Sequence, residues 1–394
     1  MCIMGAHEQQ PSLPGRPVGW YCHIPFCAGK CRYCDFYSIP LATDLLGDFV
    51  RAIRREISTR DPHRPVDSIF VGGGTPTILP ADALGGLLDE IVARTGQVAE
   101  FSVEANPAGA DELKLDLLRN HGVNRLSLGA QSFDPRELAF LARLHGPADI
   151  PRSIAAARAA GFANISLDLI YAIPGQTLNR WRDTIRQAID FAPEHLSCYA
   201  LTYEPGTPLA RLREQGAVTA CDENLEADMF ELTIDDLTAA GFEHYEISNF
   251  ARPGRRCQAN MIYWQNREYF GVGPAAVSYL DGTRRKNLPD VRRYIAAMES
   301  DPAGIVAEEE KLPEDARTCE TAIQMLRLIE GIDIETFRRR TGHDPRAFFS
   351  PAIERLSADG LLETTPASIR LTRRGLLLAN RVMAEFLPPA RHSP

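Results

Sequence analysis

No apolar run in these 394 residues is long enough to cross a bilayer, for which about 20 consecutive residues are needed. Residues 1–16 are polar and proline-rich, without the basic start and apolar core of a secretion signal. Both absences point to a cytoplasmic protein, with residues 1–17 expected as a flexible N-terminal tail. The chain also lacks an excess of positive charge. Its 43 Lys and Arg face 52 Asp and Glu, a net charge of −9. That argues against a protein built to coat phosphate backbones, so no nucleic-acid partner is expected. A disulfide framework is missing as well. The nine cysteines are odd in number, and three of them, Cys27, Cys31 and Cys34, fall within one short segment. A secreted scaffold spreads its cysteines along the chain; clustering in a cytoplasmic protein points to metal.

What is present is an ordinary globular composition, 44% hydrophobic and 24% charged, on a chain long enough for two or three domains. The first half repeats one pattern: a short β-branched or apolar run, a turn, then an amphipathic stretch of helical length. Strands are predicted at 18–24, 66–71, 100–104, 125–130, 164–170 and 195–201. Helices are predicted between them, among others at 44–59, 81–94, 111–121 and 178–191. Regular alternation of strand and helix means parallel pairing with right-handed crossovers. The expected fold class is therefore α/β, a partial β/α (TIM-like) barrel over residues 18–203. In such a barrel the C-terminal strand ends share one face, and that face carries the site. Polar or glycine-rich clusters follow the strands at 27–34, 72–77, 104–107, 131–134 and 174–177, so they should converge in space.

Beyond residue 203 the pattern changes. Residues 204–300 read as an extension, with a helix at 223–240 and a β-rich, aromatic segment at 244–287. Residues 301–309 read as a linker. Residues 310–394 read as a small winged-helix-like domain, with helices at 315–329, 334–341 and 351–359, a hairpin at 361–371 and a final helix at 374–386. Its acidic residues offset Arg338, Arg339 and Arg340, and fold alone does not assign DNA binding.

The segment Cys27-Ala-Gly-Lys-Cys31-Arg-Tyr-Cys34 places three soft sulfur ligands in one loop. Thiolates suit iron, and three protein ligands on a four-iron cluster leave one iron open. The alternative is structural zinc, with His23 or Asp35 as fourth ligand. Zinc sites usually present paired Cys-x-x-Cys units, and no second pair is present.

The run from Tyr21 to Phe36, Tyr-Cys-His-Ile-Pro-Phe-Cys-Ala-Gly-Lys-Cys-Arg-Tyr-Cys-Asp-Phe, is similar to the radical S-adenosylmethionine (SAM) signature of the HemN/HemW family. The resemblance extends from about Trp20 to Phe386. It implies a [4Fe–4S] cluster on Cys27, Cys31 and Cys34, whose open iron takes the amino and carboxylate groups of SAM. Gly72-Gly73-Gly74-Thr75-Pro76-Thr77 resembles the family's SAM-amine loop, where glycines admit close backbone approach. Glu104 resembles its ribose-binding acid, since a carboxylate accepts from two hydroxyls. Tyr21, Tyr33, Gln131, Arg143 and Asp168 match further cofactor positions, and His23 matches a family position whose plain reading is a satisfied core histidine.

The family has two branches. One is the oxygen-independent coproporphyrinogen III oxidase, which carries a fourth cysteine two positions after the triplet and a longer N-terminal extension. Here that position is Phe36, and only 26 residues precede Cys27. Both features resemble the HemW branch of haem chaperones. That branch implies haem or a related porphyrin as ligand, a haem-accepting apoprotein and an electron donor as partners, and no oxidation of coproporphyrinogen III. One motif departs from it. The branch usually carries His-Asn-x-x-Tyr-Trp, tied to haem binding; here Ala259 replaces the histidine before Asn260, Tyr263 and Trp264. A second family histidine is also missing, from the stretch 275–278. Cys257 and Tyr263 are the candidate replacement ligands to haem iron, because thiolate and phenolate both serve. The aromatic pair Tyr263–Trp264 is expected against a porphyrin face. The alternatives of enzyme class are a radical SAM transferase or methyltransferase acting on a planar aromatic substrate and, after it, the oxygen-independent coproporphyrinogen III oxidase.

Overall fold

The computed structural model describes residues 15–388. Most of the tail expected at 1–17 lies outside the described residues. Six parallel strands carry the first half: β1 (Val18–Ile24), β2 (Val66–Gly73), β3 (Glu100–Ala105), β4 (Arg125–Gln131), β5 (Ile165–Tyr171) and β6 (His195–Ala200). Each pairs in parallel with the next. They lie where the apolar runs predict them, with ends displaced by at most two residues.

Side chains alternate across a strand, so each strand has two characters. On the outer face lie Trp20, Cys22 and Ile24, Ile69 and Val71, Phe101 and Val103, Leu126 and Leu128, Ile165, Leu167 and Leu169. All are buried in one core beneath the crossover helices. Those helices include Thr43–Arg60, Ala81–Thr95, Glu112–Asn120, Asp149–Ala159 and Leu178–Asp190. Their starts are fixed by local caps: the Asp111 carboxylate accepts from the Lys114 N–H at 2.9 Å, and the Thr177 hydroxyl from the Arg180 N–H at 3.3 Å. On the inner face the same strands present Tyr21, Phe70, Glu104, Arg125, Ser127, Asp168, Ser197 and Tyr199, and these line a cavity.

The barrel is open. The extension contributes β7 (Glu243–Glu246), β8 (Asn249–Ala251), β9 (Tyr269–Val272), β10 (Val277–Leu280) and β11 (Thr283–Asn287), and β12 (Val306–Lys311) follows. Across the sheet the order is β12-β11-β10-β9-β1-β2-β3-β4-β5-β6-β8-β7. β9 joins β1 in parallel and β8 joins β6 antiparallel, so the extension adds a strand to both edges of the six-strand unit.

Three expectations need correction, the third in the C-terminal domain. Residues 301–309 are not a linker: after a short helical turn at Pro302–Ile305, β12 pairs with β11, and Glu309 and Glu308 meet Arg285 and Lys286 across the strands. Opposite charges on facing positions support this edge pair. Within the expected β-rich segment, Gln258–Trp264 is a helix. Its start is held by a residue from a distant strand, which no local pattern reveals.

The C-terminal domain has its own core, including Ala322, Met325, Phe337, Ile353, Leu356, Ile369 and Phe386. Helices Glu314–Met325, Ile334–Thr341 and Ser350–Ala358 pack on a small sheet in which Ser368–Leu371 lies between Ile332–Asp333 and Leu362–Thr364. The expected final helix is two short ones, Arg373–Leu377 and Ala379–Ala384. The chain breaks at Leu378, whose N–H takes the Gly375 carbonyl in a tighter turn.

Candidate functional site

The inner face of the barrel and the extension enclose a cavity of about 1220 Å³. One wall is the cysteine loop; the facing wall comes from the helix Gln258–Trp264 and from β9 and β10. Cys27, Cys31, Cys34, Tyr21, Tyr33, Gly73, Gly74, Thr75, Glu104, Gln131, Arg143 and Asp168 all line it. The scattered sequence positions therefore do converge on one space.

The cysteine loop is seated on the glycine-rich loop. Gly74 donates to the Ile24 carbonyl at 2.7 Å and Thr75 to the Phe26 carbonyl at 2.8 Å. A Cβ on Gly74 would lie 2.4 Å from the Phe26 oxygen, and one on Gly73 would lie 2.4 Å from the His23 ring. Gly73 also has φ of 101°, which a larger residue avoids. These glycines are needed for packing as well as for any ligand. Cys31 Sγ faces the Arg143 guanidinium at 3.4 Å, and Cys27 Sγ faces the Thr75 hydroxyl at 3.9 Å. Donors turned towards sulfur fit thiolate ligands of an iron–sulfur cluster. Among the described residues, no three Cys, His, Asp or Glu side chains are drawn together as they would be on a bound metal ion, the three loop cysteines included.

His23 is engaged elsewhere. Its Nε2 lies 2.8 Å from the Tyr37 carbonyl and its Nδ1 2.9 Å from the Tyr21 hydroxyl. A carbonyl only accepts, so Nε2 carries the proton and Tyr21 donates to Nδ1. Burial lowers the imidazole to about 4 and keeps it neutral. The plain reading of His23, a satisfied histidine, is the one its bonds support. Tyr33 turns into the barrel mouth and packs against the cluster of Leu141, Ile170, Ile173 and Leu201.

Two carboxylates stand on the barrel floor. Glu104 accepts from the Gly73 N–H at 3.0 Å, tying strand β3 to the glycine loop. Burial, and then the charge of Asp168, push Glu104 up to about 7. Asp168 accepts from the Ser127 hydroxyl at 3.2 Å and is raised by burial. Gln131 closes β4 with φ of 65°, a left-handed conformation that is strained for a side chain of its size. It turns the strand end so that Gln131 lines the cavity.

Below them lies a set of residues that the sequence reading did not single out. Arg125 is buried, and Glu100 beside it caps the helix Gln258–Trp264 from across the barrel. The Glu100 Oε1 accepts from the Gln258 N–H at 3.0 Å, the Ala259 N–H at 3.4 Å, the Cys257 thiol at 3.5 Å and the Ser102 hydroxyl at 3.3 Å. A carboxylate at a helix start meets its free N–H groups and its positive end. Glu100→Ala is therefore expected to lower stability by about 2–4 kcal/mol, because a buried donor left unmade costs about 1–3 kcal/mol. Glu100→Gln, which keeps an acceptor, should lose less; urea unfolding of the two variants measures the difference.

The motif Ala259-Asn260-Met261-Ile262-Tyr263-Trp264 is split by the helix. Ala259, Asn260 and Tyr263 line the cavity, and Tyr263 packs edge-on to Tyr269 with ring centroids 4.7 Å apart. Trp264 does not join them. It points to the C-terminal domain, where the Arg327 guanidinium lies 4.3 Å over its ring. Adjacent helical residues face about 100° apart, which is why the expected aromatic pair cannot share one ligand face. Burial keeps the thiol of Cys257 and the phenol of Tyr263 protonated, Cys257 being pushed up to about 12.

Residues 21–188 match the Radical SAM superfamily and residues 312–378 the HemN C-terminal domain. The heme chaperone HemW of Bacillus subtilis is 35% identical over 382 residues, 93% of this chain and 98% of that protein. That of Escherichia coli is 32% identical, over 94% of this chain and 98% of that protein. Among solved structures, the coproporphyrinogen III oxidase HemN of Escherichia coli superimposes with a TM-score of 0.83 at 24% identity, covering 95% of this chain and 91% of that one. That likeness fixes the fold alone. By sequence over nearly its whole length, and by the radical SAM core that it shares, the chain belongs to the HemW family of radical SAM proteins.

Proposed function

We propose that this protein is a cytoplasmic haem chaperone that holds a [4Fe–4S] cluster and SAM in one half of its cavity and haem or a related porphyrin in the other. The cluster supplies one-electron chemistry to SAM when both are bound. Cys27, Cys31 and Cys34 bind it. Gly73, Gly74 and Thr75 meet the SAM amino group, and Glu104 meets its ribose. Tyr21, Tyr33, Gln131, Arg143 and Asp168 complete the enclosure.

One observation carries the reading: the cavity is larger than the roughly 300–1,000 Å³ that one small ligand fills, and its two walls differ in chemistry. The cysteine side is polar and charged. The opposite side is formed by Tyr263, Tyr269, Ala275 and Val277, with Asn260 and Lys286 among them and Phe70 on the barrel floor. Flat aromatic and apolar surface suits a macrocycle.

The residues that usually supply an imidazole are replaced, and Cys257 and Tyr263 are the candidates that remain. Haem binding should therefore be weaker than with a histidine at 259 and should rest on the cavity walls. Ala259 lies on the cavity, so Ala259→His is expected to tighten haem binding about tenfold or more and to shift the Soret band to that of an imidazole-ligated iron. Haem titrations of wild type, Ala259→His, Cys257→Ser and Tyr263→Phe test this. An unchanged affinity and spectrum in all three variants would remove haem from this wall.

A further inference from the structure

Arg143 bridges the cysteine loop and a barrel strand. Its Nη1 donates to Cys31 Sγ at 3.4 Å, and its Nη2 to the Gly129 carbonyl at 2.7 Å. The second bond fixes the guanidinium plane, so the first is not one rotamer among many. Gly129 makes the room: a Cβ there would lie 3.0 Å from Nη2 and 2.9 Å from the Gln131 amide. Ala142, immediately before Arg143, has φ of 57°, so the chain accepts local strain to turn at this point. The hydrogen-bond partners of this cation are a sulfur, a carbonyl and the Tyr33 phenol, and its buried Nε makes no hydrogen bond.

We propose that Arg143 sets the reduction potential of the cluster by donating to the Cys31 thiolate. The inference rests on the cluster reading above and goes beyond any contact of Arg143 with SAM. One-electron reduction adds negative charge that is shared with the thiolate sulfurs. A fixed cation donating to one of them stabilises the reduced cluster more than the oxidised one. The potential then becomes less negative, and the partly buried position strengthens the effect. Thr75 provides a neutral, longer contact to Cys27, at 3.9 Å, and should contribute less.

The test uses anaerobically reconstituted full-length protein without SAM. Iron is counted, and the one-electron couple is followed by electron paramagnetic resonance against poised redox mediators. In Arg143→Gln the ratio of reduced to oxidised cluster at fixed poise should fall at least tenfold, which is about 59 mV for one electron. Arg143→Lys, which keeps the charge but loses the planar fork, should lie between Arg143→Gln and wild type. Thr75→Val should move less than either. An unchanged potential in both Arg143 variants at full iron content overturns the proposal. Failure of both to hold a cluster that Thr75→Val does hold also overturns it, because Arg143 would then be a structural support of the loop. Wild type that takes up no cluster at all is seen at the iron count, and removes the cluster reading together with this one.

Discussion

Cys31→Ala should reduce bound iron to near zero and abolish the cluster's paramagnetic signal, and Cys27→Ala and Cys34→Ala should do the same. The three thiols lie on one loop that is pinned to the glycine loop and to Leu141, and they line one cavity. A cluster held by three ligands has none to spare, and metal binding of this kind is all or nothing when a thiolate is lost. The other described cysteines lie outside the loop: Cys221 packs against the barrel core, and Cys257 lines the same cavity on another wall. Cys22 and Cys198 lie on the outer face of β1 and β6 in the barrel core, and Cys319 lies in the C-terminal core. Cys257 is under the helix start that Glu100 caps. Their alanine variants should keep full iron. A cluster signal of undiminished intensity in Cys31→Ala would show that the loop is not the ligand set.

The second large effect concerns SAM. Glu104→Ala removes a carboxylate from the barrel floor, and a hydrogen bond to a charged group contributes roughly 1.5–3 kcal/mol. SAM affinity should drop about tenfold or more, at 1.4 kcal/mol per decade. The acid also predicts a pH dependence. Its folded value, about 7, lies above the ordinary 4.5, first through burial and then through Asp168. Such an acid is protonated in the ligand-free protein below about pH 7. Its ionisation costs stability as pH rises from the ordinary value to the folded one, so this contribution declines between about pH 4.5 and 7. Hydroxyl donors of a bound ribose favour the ionised form. SAM affinity should therefore weaken as pH falls through 7, and Glu104→Gln should flatten that slope. Calorimetric titration at a series of pH values measures both. A wild-type dissociation constant matched by Glu104→Ala would place SAM elsewhere.

The barrel is legible because its strands and crossovers are local patterns, and those strands carry one further signal. Tyr21 and His23, Glu100, Ser102 and Glu104, Arg125 and Ser127, Asp168, and His195 and Ser197 recur at every second position of otherwise apolar strands. That period-two polar stripe is the inner face of an open barrel, and it contains both Glu100 and Arg125. Two other features could not be read from local sequence. The helix Gln258–Trp264 starts where a carboxylate some 158 residues upstream meets its first N–H group. β12 exists because its glutamates find the basic strand β11. Both depend on tertiary partners that no window of ten or fifteen residues contains. The separation of Tyr263 from Trp264 follows from that helix: read as an extended or loop segment the motif offers two aromatics together, and read as a helix it offers one to the cavity and one to Arg327.

In the proposed role this cavity carries haem beside a cluster and SAM, and does not spend SAM on a bound substrate. The most direct measurement is anaerobic reconstitution of the wild-type chain with iron, sulfide and SAM, followed by haem titration with reductant present and assay of 5′-deoxyadenosine. The expected result is saturable haem binding at micromolar protein with little 5′-deoxyadenosine released. Absence of saturable haem binding, or SAM cleavage that rises in proportion to an added planar aromatic substrate, would contradict it and make the chain a radical SAM transferase.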